Sequence, residues 1–290
     1  MTRHGRHRRS DGSGGAPAPG ARRHGRHGAP PDHGSAPGVW SAPALPDPAL
    51  LGEPALIADV RRLLRVGGPL DLLATVSSML SLVDPRTLDP YDHLRPPSPG
   101  SPGRDELVLE TLLASFLEAR LPESTALLAA LGVLAPDRRA RARANDEVAR
   151  RGHRLPSWVA GLAQATSQRA VLVSPPSGDA DNVLVGVRLP PAHQATVSVY
   201  VDHDEGTVVT DCVVLSARLG EVVAKLRAVI DDPGTRFDDL ALPDARVRLV
   251  RAIDNGAAAF PPIETDDWPM LRPLVEWVAR IAAPSSDGGS

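Results

Sequence analysis

Apolar positions recur along the chain with two different periods, and the change from one to the other organises it. Up to about Leu162 the spacing is helical. Leu56, Ile57, Val60, Leu63 and Leu64 share one face at a 3.6-residue period, with Pro54 in a first turn that tolerates a missing N–H. Gly67-Gly68 stops that helix, and Pro69 opens the next, striped by Leu72, Leu73, Val76, Met79, Leu80 and Val83 and ended at Asp84-Pro85. The two read as an antiparallel helical pair. After PPSPGSP at 96–102, where consecutive X-Pro bonds exclude helix and ladder alike, Leu109, Leu112, Leu113, Phe116 and Leu117 mark a third helix. Pro122 starts a fourth, carrying Leu127, Leu128, Leu131 and Leu134. PDRRARARANDEVARRG forms a fifth, with arginines at 138, 139, 141, 143, 150 and 151 and Val148 as its sizeable apolar residue. It reads as a solvated outer helix, with binding of phosphate or an acidic partner as the alternative. A short amphipathic helix begins at Pro156-Ser157-Trp158.

From about residue 169 the period becomes two. Val171-Leu172-Val173 is a short strand, PPSGDAD at 175–181 a loop, and Val183, Val185, Val187 and Leu189 then alternate with Leu184, Gly186 and Arg188. Pro190-Pro191 ends that strand. The next stretch, ATVSVYVDHDEGTVVTDCVVLS at 195–216, reads as a β-hairpin around the polar connector 202–206. Helices return with Leu219, Val222, Val223, Leu226, Val229 and Ile230, stopped at Asp232-Pro233-Gly234. Val247, Val250 and Ile253 outline another, capped at Asn255-Gly256, and Leu271, Leu274, Val275, Val278 and Ile281 form the last, with Trp277 on its flank. The predicted fold class is α+β. A helical N-terminal half (46–152, with a Pro-rich linker near 96–103) precedes an α+β domain (153–283), in which C-terminal helices cover a 3–4-stranded antiparallel meander.

Composition sharpens this picture at the ends. Residues 1–45 are Arg, His, Gly, Pro and Ser with little to bury, which predicts a disordered tail, and 284–290 predicts another. The formal charge of -3 hides an asymmetry: residues 1–33 hold seven arginines and two aspartates, net +5. Arg3, Arg6, Arg8, Arg9, Arg22, Arg23 and Arg26 are candidates for a nucleic-acid-binding arm, because guanidinium groups that neutralise phosphates release counterions. An unselected polar tail is the simpler reading, and the spaced histidines offer metal capture as a third. A single cysteine excludes a disulfide framework and any CxxC site. No apolar run approaches the roughly 20 residues that span a bilayer, and nothing apolar follows the basic start as in a secretory signal. The expectation is a cytoplasmic protein that does not engage membranes.

P-loop, GxGxxG, HExxH, GxSxG and EF-hand patterns are all missing from the sequence. The densest chemistry is Asp202-His203-Asp204-Glu205, with Asp179 and Asp181 in the loop before the preceding strand. Carboxylates with a histidine can hold a divalent metal, so Asp179, Asp181, Asp202, His203 and Asp204 form a candidate ligand set. Asp and Gly are also what a tight connection needs, and that is the simpler reading. Asp211 is the sharper case. A connection of three or five residues puts it on the face of Val197, Val199 and Val201, where an ionised carboxylate is costly. Two or four residues put Cys212 there as an inert buried thiol and turn Asp211 outward beside Tyr200 and Ser198, the arrangement favoured here. Nine residues of hairpin separate His203 from Cys212, which argues against a Cys–His nucleophile. Glu264-Thr265-Asp266-Asp267-Trp268-Pro269 reads as the capped start of the last helix.

The segments LPSWVAGLAQAT, GDADNVLVGVRLP, VSVYVDHDEGTVVTDC and AFPPIETDDWPMLRPLVEW resemble a group of uncharacterised proteins of high-GC Gram-positive (actinobacterial) bacteria. The resemblance implies that 155–283 form one unit and carries no activity with it. The functional expectation is a non-catalytic interaction or regulatory protein with a protein partner and no cofactor. The alternatives are a metal-dependent hydrolase built on the Asp/His cluster and a nucleic-acid-associated protein acting through the tail.

Overall fold

Alternating valines pair as the two-residue period predicts, within a longer sheet. Its strands are β1 (Val39–Trp40), β2 (Thr166–Ser174), β3 (Ala180–Leu189), β4 (His193–Asp202), β5 (Val208–Leu215) and β6 (Arg236–Leu240), hydrogen-bonded in the order β1-β5-β4-β3-β2-β6 with all pairs antiparallel. The meander β2–β5 was expected, and the two edge strands were not. β1 falls inside the segment 1–45 read as disordered, and that reading is corrected for Val39 and Trp40, which pair with Leu215 and Val214. The computed structural model describes residues 39–40, 53–84, 86, 109–259 and 267–283. The remainder of the N-terminal tail with its arginines, the linker near 96–103, Glu264–Asp266 and the tail 284–290 lie outside the described residues.

The described helices are α1 (Glu53–Val66), α2 (Pro69–Leu82), α3 (Leu109–Glu118), α4 (Pro122–Leu134), α5 (Arg138–Arg151), α6 (Ser157–Ala160), α7 (Leu219–Val229), α8 (Leu242–Ala258) and α9 (Trp268–Ile281). One face of the sheet, built from Val183, Val185 and Val187 of β3, Val197, Val199 and Val201 of β4, and Val209, Cys212 and Val214 of β5, is buried in the main core. Leu249, Ala252 and Ile253 of α8, Leu274, Val275 and Val278 of α9, and Leu127, Leu128 and Leu131 of α4 share that core. Helices from before and after the β2–β5 meander therefore bury the same valines. The main neighbours of α2 are α9 and α4 rather than the α1 of the expected pair. Ser77 Oγ of α2 donates to the Met270 carbonyl of α9 at 2.6 Å, with both residues buried.

α7 departs from the expectation that the C-terminal helices all cover the valine face. It lies on the opposite face, where Leu219 is buried with Val171, Val173 and Leu184 and where Val223, Leu226 and Phe237 pack around them. A sheet apolar on both faces over β2 and β3 needs a helix on each side. α8 corrects the sequence reading twice. It runs through Asn255-Gly256 to Ala258, and its buried stripe is Ala245, Leu249, Ala252 and Ile253. Val247 and Val250, which outline this helix in the sequence, are 62% and 38% exposed.

α5 is capped by Asp137, whose side chain accepts from the Ala140 N–H at 2.7 Å, and it ends at Gly152 in the left-handed region, φ 60°. The expectation of an outer, solvated arginine face fails at its last residue. Arg151 is 5% exposed at the side chain. Its Nε donates to Glu147 Oε1 at 2.6 Å, and its two Nη atoms donate to the carbonyls of Phe116, Leu117 and Ala119 at 2.8, 2.8 and 2.9 Å. Those acceptors lie at and just past the end of α3, whose last carbonyls have no intrahelical donor. α4 receives the same treatment from Arg280 of α9, which donates to the carbonyls of Val133 and Leu134. Glu123, in the first turn of α4, is buried against Arg61 of α1 at 2.5 Å.

Arg151→Met removes these donors and leaves three carbonyls short of partners. Chemical denaturation is expected to show a loss of about 3–5 kcal/mol. Arg143→Met, which breaks an exposed pair with Glu110, costs less than about 1 kcal/mol.

Candidate functional site

The two acidic loops meet. β3 and β4 pair Ala180 with Asp202 and Asp181 with Val201, so the β2–β3 and β4–β5 connections lie at the same end of the sheet. The His203 N–H donates to the Asp179 carbonyl at 2.7 Å, continuing the ladder into the turn. Asp181, which the sequence placed in a loop, is the second residue of β3. Its Oδ2 is 2.9 Å from His203 Nε2 and 3.7 Å from Arg248 Nη1 of α8, and its Oδ1 accepts from the Ser174 hydroxyl. His203 Nδ1 faces Thr207 Oγ1 at 3.3 Å. With a carboxylate at Nε2, that nitrogen carries the proton and Nδ1 stands toward the Thr207 hydroxyl.

The carboxyl of Asp181 is 13% exposed, and the His203 ring 28%. Burial by itself raises the Asp181 carboxyl, but hydrogen bonds from Ser174 and His203 and the charges of His203 and Arg248 outweigh it and hold it below the ordinary carboxylate range. The turn carries strain. Gly206 has φ 100°, and Thr207 has φ 61°, a left-handed conformation that is unfavourable for a β-branched residue. Asn255 of α8 holds that conformation, its Nδ2 donating to the carbonyls of Gly206 and Thr207 at 3.1 Å each.

The other predicted site residues do turn work. Asp202 Oδ1 accepts from the Glu205 N–H at 3.0 Å, and Asp179 Oδ1 from the Ser177 hydroxyl at 2.5 Å. Asp204 is exposed. Among the described residues no three His, Cys, Asp or Glu side chains gather in an arrangement able to hold a metal ion. The proposed set Asp179, Asp181, Asp202, His203 and Asp204 thus contributes a single close side-chain pair, Asp181–His203.

Asp211 and Cys212 overturn the premise on which they were read. The connection between Asp202 and Val208 has five residues, an odd number, which by parity alone puts Asp211 among the valines. It stands opposite Tyr200 instead, and Cys212 stands opposite Val199. Thr210 is the reason: Val201 pairs with Val209 and Tyr200 with Asp211, so Thr210 is the extra residue of a β-bulge and restores the register. Burial, and secondarily the nearby Asp211 charge, push the Cys212 thiol far above its ordinary value. On the other side Tyr200 is half-buried, and burial together with Asp202, Asp179 and Asp204 raises its hydroxyl.

Ser174, Thr207, Arg248 and Asn255 escaped the sequence reading. Thr207, one residue past the polar connector 202–206, was the one within local reach. No family model, curated protein or solved structure matches the chain. Among the described residues no helix is long and apolar enough to cross a membrane.

Two outcomes follow. Because the Asp181 carboxyl is lowered in the fold, its contribution to stability is complete above the unfolded value of about 3.9 and is lost as pH falls through the lower folded value. The gap in unfolding free energy between the native chain and Asp181→Asn is therefore wide at neutral pH and closes on acidification, as followed by denaturation at stepped pH. Cys212 is 4% exposed, so iodoacetamide leaves it unmodified in the folded chain and alkylates it once denaturant is added, as read by mass spectrometry.

Proposed function

We propose that this chain is a non-catalytic interaction or regulatory protein, and that the Asp181–His203 cluster is part of its framework. The observation that carries this reading is how fully the cluster's polar atoms engage one another. Ser174 gives its proton to Asp181, each Asp181 oxygen has a partner, and each His203 nitrogen faces a hydrogen-bonding group. A general base needs a nitrogen turned toward a substrate, and a nucleophile needs a base within reach. Here the imidazole ties the β4–β5 turn to the start of β3, and the thiol is inside the core. The arrangement suits a chain that presents a stable surface to another molecule.

The competing reading, a hydrolase that recruits a divalent ion to His203 and the acids around it, makes a distinct prediction. Full-length protein purified without a His-tag is assayed on chromogenic phosphate and carboxylic esters with added Mg²⁺, Mn²⁺ or Zn²⁺, beside His203→Ala. The expected result is no turnover above the protein-free rate for either form, with a lower melting temperature for His203→Ala. Turnover that needs the metal and disappears in His203→Ala overturns the proposal.

A further inference from the structure

A cavity of about 320 Å³ lies where α4 and α5 meet the segment 153–163. Its wall is mostly apolar, with Val148 of α5, Val159 of α6 and Leu162 just beyond it. Three polar residues, Asn145, His153 and Arg154, also line it. A largely apolar concavity with a few polar groups at fixed positions is the usual form of a small-molecule site.

Each of the three has bonding capacity to spare. Thr125 Oγ1 donates its proton to the Leu121 carbonyl at 3.0 Å and accepts from Arg151 Nη1 at 3.2 Å. Toward His153 Nδ1, at 2.8 Å, it therefore acts as an acceptor, and the ring is held with Nδ1 protonated. His153 Nε2 is left with no partner among the described residues. Asn145 Nδ2 donates to the Gly132 carbonyl at 3.2 Å, which leaves its oxygen and second N–H. That contact depends on Gly132, since a Cβ there would fall 2.1 Å from Asn145 Oδ1. Arg154 is exposed and makes no ion pair or hydrogen bond among the described residues, unlike Arg151, Arg143 and Arg150 of the neighbouring helix, which all have acidic partners.

From this geometry we propose that the α4–α5–α6 cavity binds a small organic anion with an apolar body, a medium-chain carboxylate being the simplest example. The apolar tail lies against Val148, Leu155 and Ala163, apolar lining side chains that are not fully buried, and the carboxylate meets the Arg154 guanidinium, whose planar fork matches two oxygens. The site is separate from the Asp181–His203 cluster and does not depend on the reading given to it.

Calorimetric titration of the full-length chain tests the assignment with three probes. Octanoate has both parts of the ligand, 1-octanol only the apolar body and inorganic phosphate only the charge. Octanoate is expected to bind more tightly than about 1 mM, and each of the other two about tenfold more weakly. Arg154→Gln, at an exposed residue with no partner to orphan, weakens octanoate about tenfold, the loss expected when one charged hydrogen-bond donor is removed, and leaves octanol unchanged. Ala160→Phe, which fills the mouth from an exposed position, weakens both. Three results overturn the proposal: no octanoate binding up to that concentration, octanol or phosphate binding as tightly as octanoate, or octanoate binding that Arg154→Gln leaves unchanged.

Discussion

The valine face of the sheet has to leave water, and much of the remaining structure follows from that. β3, β4 and β5 each set three residues on it, all buried. A five-residue turn between β4 and β5 would have put the odd members of the last strand inward, Asp211 among them. One extra residue at Thr210 corrects the phase. Burying a carboxylate without a partner costs several kcal/mol, far more than a bulge, so the compromise falls in the backbone. Helices from both halves of the chain then close over the face. α2 and α4 precede strands β2–β6 in sequence, and α8 and α9 follow them, yet all share one core.

Arginine does a second structural task. α3 and α4 end without side-chain caps of their own, and the carbonyls left over are taken up by Arg151 and Arg280, which arrive from other helices. Arg141 does the same for Ala135 and Pro136 just past α4. A guanidinium suits this work because its five donors reach several carbonyls at once. An arginine-rich helix such as α5 is thus divided among a buried anchor, short-range pairs with acids and a solvated remainder at Arg138 and Arg139.

Periodicity in the sequence located the helices and the meander because both signals are local. It missed β6, RFDDL, whose apolar content is Phe237 and Leu240, since an edge strand is wet along one side. It mistook the buried face of α8 because Val247 and Val250 outweigh alanine on any apolar scale, whereas close packing against the sheet selects Ala245 and Ala252. At the candidate site the turn's own residues stood out through sheer density of charge. Their partners did not, because Ser174, Arg248 and Asn255 arrive from β2 and α8. Only the folded chain shows that Asp181 belongs with His203, 22 residues away.

The grip of Asn255 on the carbonyls of Gly206 and Thr207 has a thermodynamic consequence. The turn contains a threonine in a conformation it would not keep alone, and the restraint comes from a helix 48 residues further along. Arg248 of the same helix faces Asp181 in the adjoining strand. Local opening of this hairpin end and undocking of the C-terminal half of α8 are therefore coupled into one fluctuation with a shared free energy. Against local opening, the sheet end is thus only as stable as the seat of α8.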